Sequence, residues 1–158
     1  MGLMTNPYII HSALDSAVGL ILVQARDRLN AMTVSFFSEV AHHPTTLWAA
    51  IAPATLTHSM VQETGRFSLA VLTEKQAHIA TMCGSVSGRQ VDKCARLDLH
   101  KSASGFLFLA GALASTGCVL RHHVAIGDHT IFVADIIEAE LDSTTLRLRH
   151  LLLSDLRS

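Results

Sequence analysis

The sequence predicts a mainly β protein, an antiparallel barrel that is closed or nearly closed and carries inserted helices. Three observations support this fold class. Many short apolar runs are separated by turn residues, as is typical of antiparallel strands. Two segments show helical spacing and capping signals instead. The 158 residues contain no internal repeat or linker, so we expect a single domain over residues 1–158.

The first three strands are predicted from apolar runs of strand length. Residues 17–25 are continuously apolar, and residues 31–37 return as the second arm of a hairpin after a polar turn at 26–30. Residues 46–52 form a third run, which ends at Pro53. These runs predict a sheet whose early strands are neighbours in the chain.

The first inserted helix is predicted from capping signals and from the spacing of its apolar residues. Thr55 is a residue type that favours the position before a helix. Leu56, Met60 and Val61 then recur at helical spacing. Gly65 occupies the place where a left-handed residue commonly ends a helix.

A buried strand over 67–72 leads into the second helix. Thr73 and Gln76 fit a capping box, which predicts a helix that runs to about Cys83 and stops at Gly84. A loop rich in glycine and serine follows. The remaining predicted strands are residues 106–109, 112–121, 129–140 and 145–152.

Charge and composition limit the partners. Only 16% of the residues are charged, against about 25% in ordinary domains, so we expect a second subunit to cover part of the surface. The net charge is −1 without a basic run, which argues against nucleic-acid binding. Small polar residues interrupt the uncharged window 102–120, and no basic segment with an apolar block begins the chain. We therefore expect neither a membrane span nor a signal peptide.

Cysteine and histidine spacing predicts no metal site. Cys83, Cys94 and Cys118 lack the CxxC spacing, and an odd number without a pattern is typical of a reducing cytoplasm. The adjacent pairs His42-His43 and His122-His123 would point to opposite faces of a strand, so neither pair chelates easily.

One stretch of the second strand raises a functional question. Thr33, Ser35 and Ser38 place three hydroxyls in a region of apolar side chains. These hydroxyls either face water or line the pocket of a polar, planar ligand. Periodicity alone leaves both interpretations open.

Seven motifs in chain order resemble the flavin reductase-like, FMN-binding split-barrel family, over roughly residues 14–154. The motifs are residues 30–36 (NAMTVSF), Pro44, residues 55–57 (TLT), residues 67–72 (FSLAVL) with Gln76 and Ala80, residues 92–93 (DK), residues 109–120 (LAGALASTGCVL) and residues 127–132 (GDHTIF). The resemblance implies an antiparallel split β-barrel and a homodimer that binds FMN or FAD. It also implies reduction of the flavin by NADH or NADPH, with supply of reduced flavin to a partner monooxygenase.

The resemblance also implies which residues contact the flavin. These residues are Asn30, Met32, Thr33, Val34, Ser35, Thr55, Thr57, Arg89, Lys93 and Asp128. An exposed strand edge would let backbone N–H groups reach the polar edge of the ring. The start of a helix favours phosphate, and Lys93 and Arg89 are placed to neutralise it. The alternatives are an ordinary N-cap at Thr55 and a solvated surface lysine at Lys93.

His129 is the predicted catalytic residue. Gly127 and Asp128 before it match a hairpin turn, but a turn does not explain the histidine. The resemblance places this ring beside the nicotinamide, where it would orient that ring or later protonate the flavin N1. Two other functions stay open, namely an electron carrier with tightly bound FMN and a barrel that has lost its flavin.

Overall fold

The computed structural model describes residues 10–145 and 147–157, which contain nine strands and three α-helices. The strands are β1 (Gly19–Ala25), β2 (Arg28–Val34), β3 (Phe37–His42), β4 (Thr45–Ile51), β5 (Arg66–Val71), β6 (Leu99–Lys101), β7 (Leu107–Leu109), β8 (Ala114–Ile126) and β9 (His129–Leu141). The helices are α1 (Ile10–Ala13), α2 (Leu56–Thr64) and α3 (Ala77–Ser85), and short 3-10 turns cover Glu74–Gln76, Cys94–Arg96 and Leu153–Leu156. The predicted mainly β class with inserted helices is confirmed.

Seven of these strands form one antiparallel sheet in the order β2-β1-β5-β8-β9-β4-β3, and β6 pairs with β7 separately. The strands β2 and β3 follow each other in the chain, yet they lie at the two edges of the sheet. Ser35 and Phe36 join them. The barrel is therefore split between β2 and β3, and β2 has one edge without a strand partner within the described chain.

The continuous apolar run of β1 is explained by burial on both faces. Ile21 and Val23 belong to a cluster with residues of α2, β4 and β9. Leu20 and Leu22 belong to a second cluster with residues of α3 and β7. All four side chains are at most 1% exposed. Since successive residues of a strand point to opposite faces, one strand contributes to two hydrophobic cores.

The predicted helix signals are confirmed. Thr55 is the N-cap of α2, and its Oγ1 accepts a hydrogen bond from the backbone N–H of His58 at 3.2 Å. Gly65 ends the helix with φ 64°, a left-handed conformation that suits glycine. The Thr73 and Gln76 capping box is present, although it opens a 3-10 turn that continues into α3. The helix α3 continues through Gly84 and ends at Ser85, two residues later than expected.

Three predicted strand boundaries are wrong. The second strand stops at Val34, and β3 forms a separate strand that the apolar pattern did not reveal because its residues are largely exposed. The turn between β1 and β2 contains only Arg26 and Asp27, and Arg26 has φ 53°. The strand β8 continues past residue 121 to Ile126, where the exposed residues after Leu120 conceal the apolar pattern.

The strand predicted over 145–152 is absent from the described part of this segment, and Leu146 lies outside the described residues. The segment makes only isolated bridges, between Ala17 and Leu152 and between Thr73 and His150. Leu151 is fully buried in the second core. The apolar residues here therefore pack against the sheet without pairing as a full strand.

Within residues 10–145 and 147–157, no helix is long and apolar enough to cross a membrane.

Candidate functional site

Two adjoining cavities lie beside β2. The first has a volume of about 420 Å³ and is enclosed by β2, the start of α2, the end of α3 and the loop after α3. The second has a volume of about 200 Å³ and lies where the barrel splits, beside β4 and the start of β9. Met32, Thr33 and Thr55 line both cavities. The two spaces therefore share a wall formed by β2 and the N-cap of α2.

The structure brings together most of the predicted site residues. The first cavity is lined by Asn30, Met32, Thr33, Thr55, Thr57, Arg89 and Lys93. The second cavity is lined by Met32, Thr33, Val34, Ser35, Thr55 and His129. Asp128 lines neither cavity, and its side chain is 94% exposed. We therefore revise its role from flavin contact to support of His129.

The hydroxyls on and after β2 have different partners. Thr33 Oγ1 donates to the carbonyl of Ala80 at 2.5 Å, which joins β2 to α3. Ser38 is exposed on β3 and donates to the carbonyl of Glu39. Ser35 lines the second cavity. Of the three hydroxyls expected to line a ligand, only those of Thr33 and Ser35 belong to residues that line the second cavity. The Thr33 hydroxyl already donates its hydrogen to the carbonyl of Ala80.

A buried pair links β2 to α2 inside the first cavity. Asn30 Nδ2 donates to Thr57 Oγ1 at 2.8 Å, and both residues are at most 3% exposed. The hydroxyl of Thr57 accepts this bond, so its own hydrogen is available to donate elsewhere. Thr55 differs, because its Oγ1 donates to the carbonyl of Ala52 at 2.8 Å. The ordinary N-cap interpretation therefore describes Thr55, and Thr57 is the better donor toward a ligand.

Lys93 is 4% exposed, so the interpretation as a solvated surface lysine is wrong. Its Nζ donates to the carbonyl of Cys83 at 2.9 Å and to that of Val86 at 3.1 Å. The ammonium thus stabilises the C-terminal end of α3. Burial lowers the pKa of Lys93. An ammonium has three N–H donors, so one donor remains for a group in the cavity that Lys93 lines.

Residues 86–93, the loop after α3, are held over the cavity by two arginines. Arg89 Nη1 donates to the carbonyl of Ala54 at 2.8 Å, which connects the loop to the segment before α2. Arg28 Nη2 donates to the carbonyl of Gly88 at 2.8 Å, which connects the loop to β2. A Cβ atom at position 88 would overlap the side-chain amide of Asn30, so this close approach requires glycine. Sequence reasoning missed Arg28 and Gly88, and the only signal was the small-residue run at 84–88.

His129 lines the second cavity, and two contacts orient its ring. Its Nδ1 is 2.7 Å from Asp128 Oδ1, and its ring meets the Phe36 ring edge-on at a centroid distance of 5.7 Å. This hydrogen bond lowers the pKa of Asp128. With a proton on Nδ1 shared with the carboxylate, Nε2 is the nitrogen available to a ligand. Gly127 has φ 58°, which confirms the predicted hairpin turn.

The cysteines are buried thiols. Burial raises the pKa of Cys94 to about 12 and that of Cys118 to about 11. Cys118 is fully buried in the core, as expected of a small apolar residue. Cys83 lines the first cavity, and burial also raises its pKa. A thiolate nucleophile is therefore disfavoured at this site.

The donors around the first cavity suit a phosphorylated, planar ligand. The cationic groups of Lys93 and Arg89, the hydroxyl of Thr57 and the N-terminal end of α2 converge on the same space, and such groups favour phosphate. The edge of β2 that has no strand partner within the described chain supplies backbone polar groups, and Met32 on the same strand supplies an apolar contact. These residues fit a flavin nucleotide. Among the described residues, no group of three or more His, Cys, Asp or Glu side chains could hold a metal ion.

Comparison with known proteins gives consistent results. Residues 11–155 match the family model described as flavin reductase like domain. The reductase component of the FADH(2)-dependent resorcinol hydroxylase of Rhizobium sp. is 26% identical over 124 residues, which are 78% of this chain and 68% of that protein. High molecular weight rubredoxin of Moorella thermoacetica is 30% identical over 125 residues, which are 77% of this chain but only 55% of that protein.

A solved structure shows the same fold. The NADH:FAD oxidoreductase from Streptomyces globisporus superposes with a TM-score of 0.88 at 21% identity, and the match covers 99% of this chain and 96% of that chain. The predicted split-barrel fold is confirmed by this likeness.

Proposed function

This chain belongs to the flavin reductase-like family, and from that premise we propose that it binds FMN or FAD and reduces it with NADH or NADPH. The observation that carries the proposal is the pair of cavities that share Met32, Thr33 and Thr55. One cavity has cationic groups and the other has His129. Reduction of a flavin by a nicotinamide requires two ligands side by side, and adjoining cavities with a common wall provide that arrangement.

The first cavity would hold the flavin through its phosphate and its polar ring edge. Thr57, Lys93 and Arg89 would bind the phosphate, since charge-assisted hydrogen bonds from cations are among the strongest in proteins. The backbone of Met32, Thr33, Val34 and Ser35 would contact the ring. A bound flavin supplies the capacity to accept a hydride, and nearby donors would stabilise the negative charge of the reduced ring.

His129 would position the nicotinamide in the second cavity. Asp128 and Phe36 hold its ring, and a fixed ring orients a ligand at a smaller entropic cost. Hydride transfer between nicotinamide and flavin does not require a general base. We therefore assign His129 a positioning role, with proton transfer to the reduced flavin as its second role.

The product would serve a second enzyme. One relative is the reductase component of an FADH(2)-dependent hydroxylase. This similarity supports the proposal that the present chain supplies reduced flavin to a partner monooxygenase. Three buried, unpaired cysteines fit a reducing compartment such as the cytoplasm.

Flavin titration of the purified protein tests this proposal, with protein and flavin fluorescence as the readout. Thr57→Val removes the hydroxyl, and we expect it to weaken flavin binding about tenfold or more, since a hydrogen bond to a charged group contributes about 1.5–3 kcal/mol. Thr57→Ser keeps the hydroxyl and should bind like the natural protein. If all three proteins bind flavin with equal affinity, Thr57 does not bind the phosphate. If the natural protein binds neither FMN nor FAD, the proposed function is wrong.

A further inference from the structure

One buried hydrogen bond joins the walls of the two cavities. His58 lies in the first turn of α2, and its Nε2 is 2.8 Å from Oγ1 of Thr130, near the start of β9. His58 directly follows Thr57, which lines the first cavity, and Thr130 directly follows His129, which lines the second. The bond therefore connects an element of one cavity to an element of the other.

This bond is shielded from water. His58 is 7% exposed and Thr130 is 5% exposed. The His58 ring meets that of Phe132 edge-on at a centroid distance of 5.1 Å. Phe132 is fully buried and lies two residues after Thr130, on the same face of β9. Since a buried polar group that loses its partner costs free energy, the two side chains are held together.

The same histidine also contacts the N-cap of α2. Its backbone N–H donates to Oγ1 of Thr55 at 3.2 Å, and Thr55 lines both cavities. Between α2 and β9, whose residues are all described, the bond from the ring of His58 to Thr130 is the only hydrogen bond. His58 is thus the polar connection from the start of α2 to β9.

We propose that His58 and Thr130 are positioning residues, whose hydrogen bond fixes His129 relative to the start of α2. This inference rests on the proposed function and adds two residues to it that contact neither ligand. Successive residues of a strand point to opposite faces, so Thr130 points into the core while His129 points toward the second cavity. A bond that anchors Thr130 in the core therefore fixes the backbone from which the His129 ring projects.

The distance between the two elements matters for the proposed reaction. The flavin phosphate would bind beside the start of α2, and the nicotinamide would bind beside His129 on β9. Hydride transfer requires the reacting atoms to approach within about 3–3.5 Å, and a displacement of about 1 Å can lower the rate about 100-fold. A shift of β9 against α2 changes this approach even when both ligands are bound.

The catalytic efficiency with NADH in Thr130→Val tests the proposal, because valine removes the hydroxyl and keeps the shape of the side chain. We expect the efficiency to fall about fivefold, while the dissociation constant for flavin stays within about twofold of that of the natural protein. Thr130→Ser restores the hydroxyl and should restore the efficiency.

A double-mutant cycle with His129→Ala shows whether Thr130 acts through His129. If it does, Thr130→Val should change the efficiency by less than about twofold once residue 129 is alanine. Thr116→Val is the matched control, since the Thr116 hydroxyl on β8 donates to the carbonyl of Leu69 and the residue lines neither cavity. It should lower the melting temperature and leave the efficiency unchanged.

If Thr130→Val lowers the melting temperature but not the efficiency, the bond is only structural and the proposal is wrong. Additive losses in the cycle would also contradict it, because Thr130 would then act independently of His129. If Thr130→Val does not fold, His58→Phe is judged by the same criteria, since it keeps a planar ring against Phe132 without the ring nitrogens. A natural protein that does not reduce flavin would overturn this inference and the proposed function together, whereas a normal rate in Thr130→Val overturns the inference alone.

Discussion

At the scale of single residues, His129 is the side chain whose role differs most between the possible functions. Its ring is held by Asp128 and Phe36, and the residue lines the second cavity. A histidine that only packs in a strand would affect stability and flavin binding together. A histidine that positions nicotinamide would affect turnover with NADH and leave flavin affinity unchanged.

We expect His129→Ala to lower the catalytic efficiency with NADH about tenfold, equivalent to a loss of about 1.4 kcal/mol of positioning. The dissociation constant for flavin should stay within about twofold, because the proposed flavin site is the neighbouring cavity. His42→Ala, at an exposed position of β3, is the matched control and should change neither value. Loss of flavin affinity with normal activity per bound flavin would give His129 a structural role only.

A second histidine connects stability to pH. His58 is 7% exposed, and its Nε2 lies 2.8 Å from Thr130 Oγ1. Its ring also meets that of Phe132 edge-on at 5.1 Å. Burial, and secondarily repulsion from His123, lowers the pKa of His58 below its ordinary value of 6.5. The folded protein therefore binds this proton more weakly than the unfolded chain does. Neutral His58 therefore contributes fully to the free energy of unfolding above about pH 6.5, and this contribution is lost as the pH falls below that value.

The melting temperature should therefore fall as the pH is lowered from about 6.5 to about 5. His58→Gln can keep a hydrogen bond to Thr130 without taking up a proton, so it should show a smaller fall. His43→Gln, at an exposed position, should behave like the natural protein. An unchanged pH dependence in His58→Gln would show that other groups cause the fall.

At the scale of elements, the loop 86–93 completes the site. Arg28, Arg89 and Lys93 bind it to β2, to the segment before α2 and to the end of α3. Gly88 allows its backbone to lie against Asn30. The loop makes these contacts with its backbone carbonyls and with cationic side chains, so its position depends on a few long-range hydrogen bonds.

Gly88→Ala should displace this loop, because the added methyl group overlaps the Asn30 amide. Overpacking of this kind costs about 1–3 kcal/mol, and flavin affinity should decrease with it. Asn30→Ala removes the overlapping group, so Gly88→Ala should cost much less in that background. A double-mutant cycle measured by denaturant unfolding checks this coupling. Additive costs would show that the strain at position 88 has another source.

Several elements could be predicted from sequence because their signals are local. The caps at Thr55 and Gly65 and the turn at Gly127 depend on nearby residues, and all three are present. The run at 17–25 predicted a buried strand because β1 faces two cores. By contrast, β3 and the end of β8 are exposed, so no apolar pattern marked them.

The site could be predicted only in part for the same reason. The resemblance to the family supplied residues that the structure gathers around two cavities. The partners of those residues lie far away in the chain, as Asn30 with Thr57 and Arg28 with Gly88 show. No local pattern reveals such pairs. The burial of Lys93 was likewise invisible, since it depends on the end of α3 and the loop together.

At the scale of the whole molecule, exposed apolar side chains accompany the low charge of the chain. Three strands carry apolar side chains that are 41–60% exposed. They are Val40 on β3, Val124 and Ile126 on β8, and Ile137 and Leu141 on β9. Exposed apolar groups of this kind favour an interface, and we predict a homodimer that uses the β8–β9 hairpin.

Light scattering over a dilution series checks this prediction, and a monomer at micromolar concentration would contradict it. Ile126→Lys should shift the equilibrium toward monomer, because a buried lysine without a partner disfavours association. Leu14→Lys changes an equally exposed apolar residue outside the sheet and should leave the dimer intact. Equal effects of the two variants would place the interface elsewhere.

Oxidation of NADH and NADPH under anaerobic conditions shows whether this chain transfers reducing equivalents from a nicotinamide to a flavin, as we propose. The absorbance of the reduced nicotinamide is followed with and without added FMN or FAD. We predict oxidation only when flavin is present, with one flavin reduced for each nicotinamide oxidised and a rate proportional to protein concentration. If the protein binds flavin yet oxidises neither nicotinamide, it is not a flavin reductase, and an electron carrier is favoured instead.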